Sequence, residues 1–91
     1  MLVLVVYDIP DNKRRLKLSN FLKGHGRRVQ DSVFECFLTL DEMRQLHQKI
    51  AKRVKSDEDD VRFYWISKDA VSRVLTIGSS PPQEPPNAYI I

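Results

Sequence analysis

The stretch Leu2-Val3-Leu4-Val5-Val6-Tyr7-Asp8-Ile9-Pro10 decides the fold. Leu2 to Val6 is an unbroken apolar run, rich in β-branched residues and too short for a helix or a membrane span. It therefore reads as a central strand covered on both faces. Asp8 stands where the strand runs out, Pro10 closes it, and a basic segment follows. A carboxylate at the end of a buried strand is either a turn or helix signal, or a metal and catalytic ligand.

Working outward, Asn12 is placed to cap a helix from Lys13 to about Gly24, with Leu18, Phe21 and Leu22 (and Leu16 near them) as its apolar stripe. Gly24-His25-Gly26 ends it. Residues 28–40 turn β-like, and Phe34, Cys36, Leu38 and Leu40 fall on one face at period two, with Gln30-Asp31-Ser32 able to bend or divide the segment. Asp41 is the expected cap of a second helix reaching about Lys55, with Met43, Leu46, Ile50 and Val54 as its core stripe. After the acidic turn Asp57-Glu58-Asp59-Asp60, Val61 to Ile66 reads as a strand, Ser67 to Ser72 as a polar connection and Arg73 to Ile77 as a short last strand. Pro81, Pro82, Pro85 and Pro86 then exclude a helix or central strand. The apolar end Ala88-Tyr89-Ile90-Ile91 is expected to dock on a sheet edge.

This order, strand–helix–strands–helix–strand, is that of an α+β, ferredoxin-like βαββαβ sandwich. The expected division is one ferredoxin-like domain over 1–78 and a proline-rich C-terminal tail over 79–91. The extra strand at 73–77 has no place inside one such unit, so it is expected to add to a sheet edge, its own or that of a second copy in a homodimer.

At 91 residues, 42% hydrophobic and 30% charged, the chain is a folded protein with a modest core. The net charge of +3 steers weakly toward polyanions, but Lys13, Arg14, Arg15, Lys17, Lys23, Arg27 and Arg28 concentrate it in the first third. As a nucleic-acid surface this strip contacts phosphates without reading bases; otherwise it is a solvated helix face. The single cysteine, Cys36, excludes an intrachain disulfide and shares the inward face with Phe34 and Leu38. With one Cys and two scattered His, no zinc site or Ser-His-Asp arrangement is legible, and the three glycines make no phosphate-cradling loop. No secretory signal or membrane-length apolar stretch is present, and the expected compartment is cytoplasmic.

Val6-Tyr7-Asp8-Ile9-Pro10, Lys13-Arg14-Arg15-Leu16, Gly26 and Val29-Gln30-Asp31-Ser32-Val33-Phe34-Glu35-Cys36 together resemble the CRISPR-associated protein 2 family, over roughly residues 1 to 77. The resemblance implies a ferredoxin-like homodimer whose last strand crosses to the partner's sheet. It implies a metal-dependent endonuclease that cuts single-stranded RNA or double-stranded DNA, with Asp8 from each subunit binding Mg²⁺ or another divalent cation such as Mn²⁺. Tyr7, Arg15, Arg28, Ser32 and Phe34 match further positions linked to activity, with the choice between Arg14 and Arg15 left open. It implies as well a second, non-catalytic role in spacer acquisition, in which the dimer bridges integrase dimers and holds DNA on its basic surface. A single Asp8 per chain would suffice if a two-fold axis brought it to its symmetry mate, because a divalent ion relieves the repulsion between the two carboxylates.

Overall fold

A computed structural model describes residues 1–85. The expected apolar run forms β1 (Leu2–Asp8), followed by α1 (Asn12–Leu22), β2 (Arg27–Gln30), β3 (Val33–Phe37), α2 (Leu40–Ala51), β4 (Asp60–Ile66) and a short α3 (Lys68–Val71). The sheet is antiparallel in the order β2-β3-β1-β4, so β1 is central, as its composition requires, and β2 and β4 are edges. This is the ferredoxin-like arrangement.

Period two in β1 divides its side chains between two unlike faces. Val3, Val5 and Tyr7 are buried with Phe34 and Cys36 of β3 against Leu18 and Leu22 of α1 and Leu46 and Ile50 of α2, forming one core. Leu4 and Val6 point the other way and are only half-buried, flanked by Glu35 and Val33 of β3 and by Tyr64 and Arg62 of β4. Among the described residues, then, β1 is covered by helices on one face only. The second covering expected from its unbroken apolar sequence is present at one end. Leu2 is buried apart from the main core, lining a cavity of about 340 Å³ with Met1, Phe37, Val71 and Pro82.

The segment after Ile66 differs from expectation. Residues 68–71 form α3, capped by Ser67 Oγ accepting from Ala70 N, in place of the polar connection. Residues 73–77 form no strand in this chain, and Leu75 and Ile77 stand almost wholly exposed at 94% and 102%. An apolar strand gains stability only where it finds a ladder and a covered face, and the described residues offer 73–77 neither. Residues 79–85 form neither helix nor strand, and Ser80 Oγ accepts a hydrogen bond from Arg27 Nη2 at 3.2 Å on the β2 edge. Pro86 and the apolar end Ala88 to Ile91 lie outside the described residues.

Local signals place the N-terminal helix caps one or two residues from the expected positions. Asp11 rather than Asn12 caps α1, and Thr39 rather than Asp41 caps α2, through a reciprocal capping box in which Glu42 Oε1 accepts from Thr39 N at 2.8 Å. Helix α2 ends at Ala51, four residues short of Lys55. Leu40, expected inward with Leu38, opens the helix and is 46% exposed. The β2–β3 segment divides at Asp31-Ser32, with a register shift between Arg28 and Gln30. Gly26 is fixed by crowding, because a Cβ there would run into Cys36 Sγ and come within 2.5 Å of the Glu35 carbonyl.

Candidate active site and nucleic-acid surface

Asp8 is the last residue of β1 and takes the outward phase, on the open face of the sheet. Its side chain is exposed, and among the described residues the carboxylate has no hydrogen-bond or ion-pair partner. The capping role that an Asp before Pro and a helix could play belongs to Asp11, whose Oδ2 accepts from Arg14 N at 2.8 Å. Directly across the ladder from Asp8 stands Asp60, the first residue of β4, with its Oδ2 3.4 Å from Arg62 Nε.

Tyr7, one residue earlier, points into the helix side. Its ring is 4% exposed and stacks on Phe34 with centroids 6.4 Å apart, and its hydroxyl donates to the Asp31 carbonyl at 3.2 Å. This hydroxyl closes one wall of a concave site of about 520 Å³ between α1 and the β2–β3 turn. Arg15, Lys23 and Arg28 supply positive charge to it, and Asn12, Ser19 and Ser32 supply polar groups. Arg15 is held there by Nη1 donating to the Ile9 carbonyl at 2.8 Å and by Nη2 donating to Asn12 Oδ1. Arg28 donates from Nη2 to the Asp31 carbonyl at 3.1 Å, with Asp31 Oδ1 3.4 Å away.

The structure thus gathers Tyr7, Arg15, Arg28 and Ser32 into one pocket and leaves two of the expected catalytic residues outside it. Asp8 lies on the opposite face of the sheet. Phe34 is wholly buried, so it shapes the pocket from behind, through Tyr7. Asn12 and Ser19, not singled out for binding, complete the pocket together with Lys23 of the basic strip. Their i, i+3, i+4 spacing with Arg15 and Leu16 along α1 is the signal that groups them.

The basic strip is not uniform either. Lys13, Lys17 and Arg27 are exposed, but Arg14 is turned toward the acidic loop before β4. Its Nε donates to Asp59 Oδ2 at 2.8 Å and its Nη2 donates to Asp59 Oδ1 at 2.9 Å and to Glu58 Oε2 at 3.0 Å. Asp59 Oδ2 accepts also from Lys55 N at 2.9 Å, and the Asp59 side chain has no exposed surface. The Arg14 hydrogen bonds hold the Asp59 carboxyl below the usual carboxylate range, burial opposing, and Asp59 in turn raises the Arg14 guanidinium. Asp11 is lowered as well, chiefly by the bond from Arg14 N. Of the two adjacent arginines, then, Arg15 lines the pocket and Arg14 is turned away from it.

The remaining candidates are quiet. Cys36 is buried, and burial, with Glu35 nearby, pushes its thiol up to about 11, which leaves little thiolate for nucleophilic chemistry. His25 Nδ1 lies 3.0 Å from the Phe21 carbonyl, and His47 packs edge-on to Phe63. Among the described residues no group of three or more His, Cys, Asp or Glu is placed to hold a metal ion. None of their helices is long and apolar enough to cross a membrane.

The sequence profile of the family described as CRISPR associated protein Cas2 matches residues 1–74. This chain belongs to the Cas2 family. It is 40% identical over 90 residues to a Synechocystis protein named CRISPR-associated endoribonuclease Cas2 3, covering 99% of this chain and 98% of that one. Among solved structures, Streptococcus pyogenes Cas2 superposes with a TM-score of 0.74 at 34% identity, over 86% of this chain and all of that one. A chain from a structure titled partial Cas6-RT-Cas1–Cas2 complex gives a TM-score of 0.74 at 38% identity, over 91% and 97% of the two chains. Against that background, the Cas2-family chain presents an open carboxylate on one face of its sheet and a basic pocket on the other.

Proposed function

We propose that this protein is a divalent-metal-dependent endonuclease of CRISPR adaptation, hydrolysing phosphodiester bonds in single-stranded RNA, with double-stranded DNA as the second substrate. The observation that carries the reading is the state of Asp8: exposed, unpartnered and released from capping by Asp11. A carboxylate left without a partner at a strand end opposite a second carboxylate is a hard-oxygen donor suited to Mg²⁺, which takes one or two protein carboxylates and completes its shell with water and phosphate oxygens. One chain supplies too few ligands for a closed site, which favours two copies meeting through their open faces with both Asp8 residues near the two-fold axis. Half-buried Leu4 and Val6 and exposed Tyr64 give that face apolar surface to cover, and Leu75 and Ile77 give the C-terminal segment reason to pair with the second copy. When bound, the metal would activate water and polarise the phosphodiester. The chain's own contribution is to hold Asp8 open on one face of the sheet and to contact the nucleic-acid backbone through Arg15, Lys23 and Arg28 on the other. The RNA preference rests on the endoribonuclease name of the Synechocystis relative.

Asp8→Ala tests this. Purified variant should keep its dimer mass and lose metal-dependent cleavage of RNA and DNA; cleavage surviving at the wild-type rate would remove Asp8 from the site. Deleting residues 73–91 should yield monomer in solution, and a fully dimeric truncation would refute strand exchange as the main dimer contact.

A second reading is favoured by the Cas1–Cas2 complex among the similar structures. In it the dimer is a DNA-binding adaptor that bridges integrase dimers, using the basic pocket and not Asp8. Spacer acquisition that persists in Asp8→Ala cells and fails when Arg15 and Arg28 are replaced would select it.

A further inference from the structure

Asp8 and Asp60 are directly paired residues on neighbouring strands, and like charges so placed push the strand ends apart. What closes this end of the sheet lies one residue behind Asp60 and six beyond Asp8. Asp59 precedes β4, and Arg14 lies in the first turn of α1, which begins four residues after Asp8. Between them run two hydrogen bonds to the two oxygens of one carboxylate, at 2.8 and 2.9 Å, a geometry that fixes orientation as well as distance. The Lys55 amide anchors the same carboxylate to the loop, and Asp11 anchors Arg14 through its backbone amide. The result is a covalent and hydrogen-bonded ring: β1 end, turn, α1 start, Arg14, Asp59, β4 start, and across the ladder back to β1.

We infer that Arg14 and Asp59 are positioning residues for the Asp8 carboxylate, a clasp that keeps the β1 and β4 ends in register and so holds Asp8 where a divalent ion can use it. The inference rests on the metal reading proposed above. It goes beyond that reading by assigning a role to a partly buried ion pair that touches neither substrate nor metal. Groups that hydrogen-bond a metal's ligand directly are worth about 10- to 100-fold in metal affinity. The clasp makes no contact with Asp8 and acts on it through the paired ends of β1 and β4, so its effect is expected at or below the lower end of that range.

The test is Mn²⁺ binding by the intact dimer, followed by the loss of the free-ion electron paramagnetic resonance signal. Arg14→Gln and Asp59→Asn are compared with wild type at a temperature where circular dichroism shows all of them folded. Both variants should weaken Mn²⁺ binding about three- to tenfold, less than losing a direct contact to the ligand would cost, and Arg14→Lys, which keeps one donor toward Asp59, should recover part of the loss. It also carries the comparison should Arg14→Gln not fold. Leu38→Ala, a core change at the Met1 end of the sheet and so remote from the clasp, serves as a variant of lowered Tm that should bind Mn²⁺ as wild type does. Folded clasp variants with wild-type affinity would overturn the inference while leaving the metal reading intact, and so would Leu38→Ala weakening the ion equally. Wild-type protein that binds no Mn²⁺ would overturn both together.

Discussion

Arg14 and Arg15 are neighbours in the sequence and carry the same group, yet they leave α1 on opposite errands. Arg14 swings toward β4 and is consumed by Asp59, Glu58 and Asp11, with 18% of its side chain exposed. Arg15 swings toward the β2–β3 turn and is held mainly by the Ile9 and Pro10 carbonyls and Asn12, neutral acceptors that leave its charge available in the pocket. What differs is the partner. A guanidinium neutralised by a buried carboxylate is architecture, whereas one steadied by carbonyl oxygens still presents positive charge to a phosphate. Charge counted along a helix cannot separate the two.

The sharpest way to test this division is at the residue that backs the pocket. Phe34 has no exposed surface and supports Tyr7 from behind, so Phe34→Ala should cost about 3–5 kcal/mol of stability by chemical denaturation. At a temperature where the variant is still folded, nucleic-acid binding should survive. Abolished binding in a demonstrably folded Phe34→Ala would instead return Phe34 to the site itself.

Next in size is the effect of the arginines on binding. Replacing Arg15 and Arg28 together should weaken nucleic-acid binding about 10- to 100-fold at low salt. The slope of log affinity against log salt should become shallower by roughly 0.7–0.9 for each phosphate no longer neutralised. Arg14→Gln, measured beside it, should leave that slope unchanged and lower the Tm by several degrees. A flattened slope in Arg14→Gln would erase the distinction between the two arginines.

Much of this is legible in the sequence, for a physical reason in each case. The central strand declares itself because a strand flanked on both sides can carry an unbroken apolar run. The β2–β3 hairpin follows from the alternation of Phe34, Cys36 and Leu38, and the α2 core from Met43, Leu46 and Ile50. The caps are displaced by one or two residues because Asp11 and Asn12, or Thr39 and Asp41, are equally good capping residues. Only the Thr39-x-x-Glu42 spacing could have decided the second. The faces of Tyr7 and Asp8 follow from alternation and the grouping of Asn12, Arg15, Ser19 and Lys23 from helical spacing, so both are readable; that this side of α1 meets Arg28 and Ser32 is not, because that depends on how α1 lies across the sheet. The Arg14–Asp59 pair is separated by 45 residues in the chain and no local pattern announces it. The strand expected at 73–77 shows a different limit, since Arg73 to Ile77 has strand composition but the described residues of one chain give it no ladder to join.

The smallest expected effect is one of pH, and it again falls on Arg14's side of the helix. Asp59 is held below its ordinary value of 3.8, first by the Arg14 side chain and then by the Lys55 amide, with burial opposing. Asp11 is lowered in the same direction by the Arg14 amide, with burial again opposing. A carboxyl whose folded value lies below its unfolded value binds protons more readily unfolded. Its stabilisation is therefore complete above about pH 4 and is lost as the pH falls through the folded value. Wild-type Tm should hold steady from neutral pH down to about 4 and then decline. Asp59→Asn should start from a lower Tm at neutral pH and decline less steeply, because the group whose protonation opens the clasp is gone. Arg14→Gln should flatten the same limb by removing the cause of the depression. If Asp59→Asn retains the full wild-type acid limb, the acid-sensitive stability lies elsewhere and the Arg14–Asp59 pair contributes little to closing this end of the sheet.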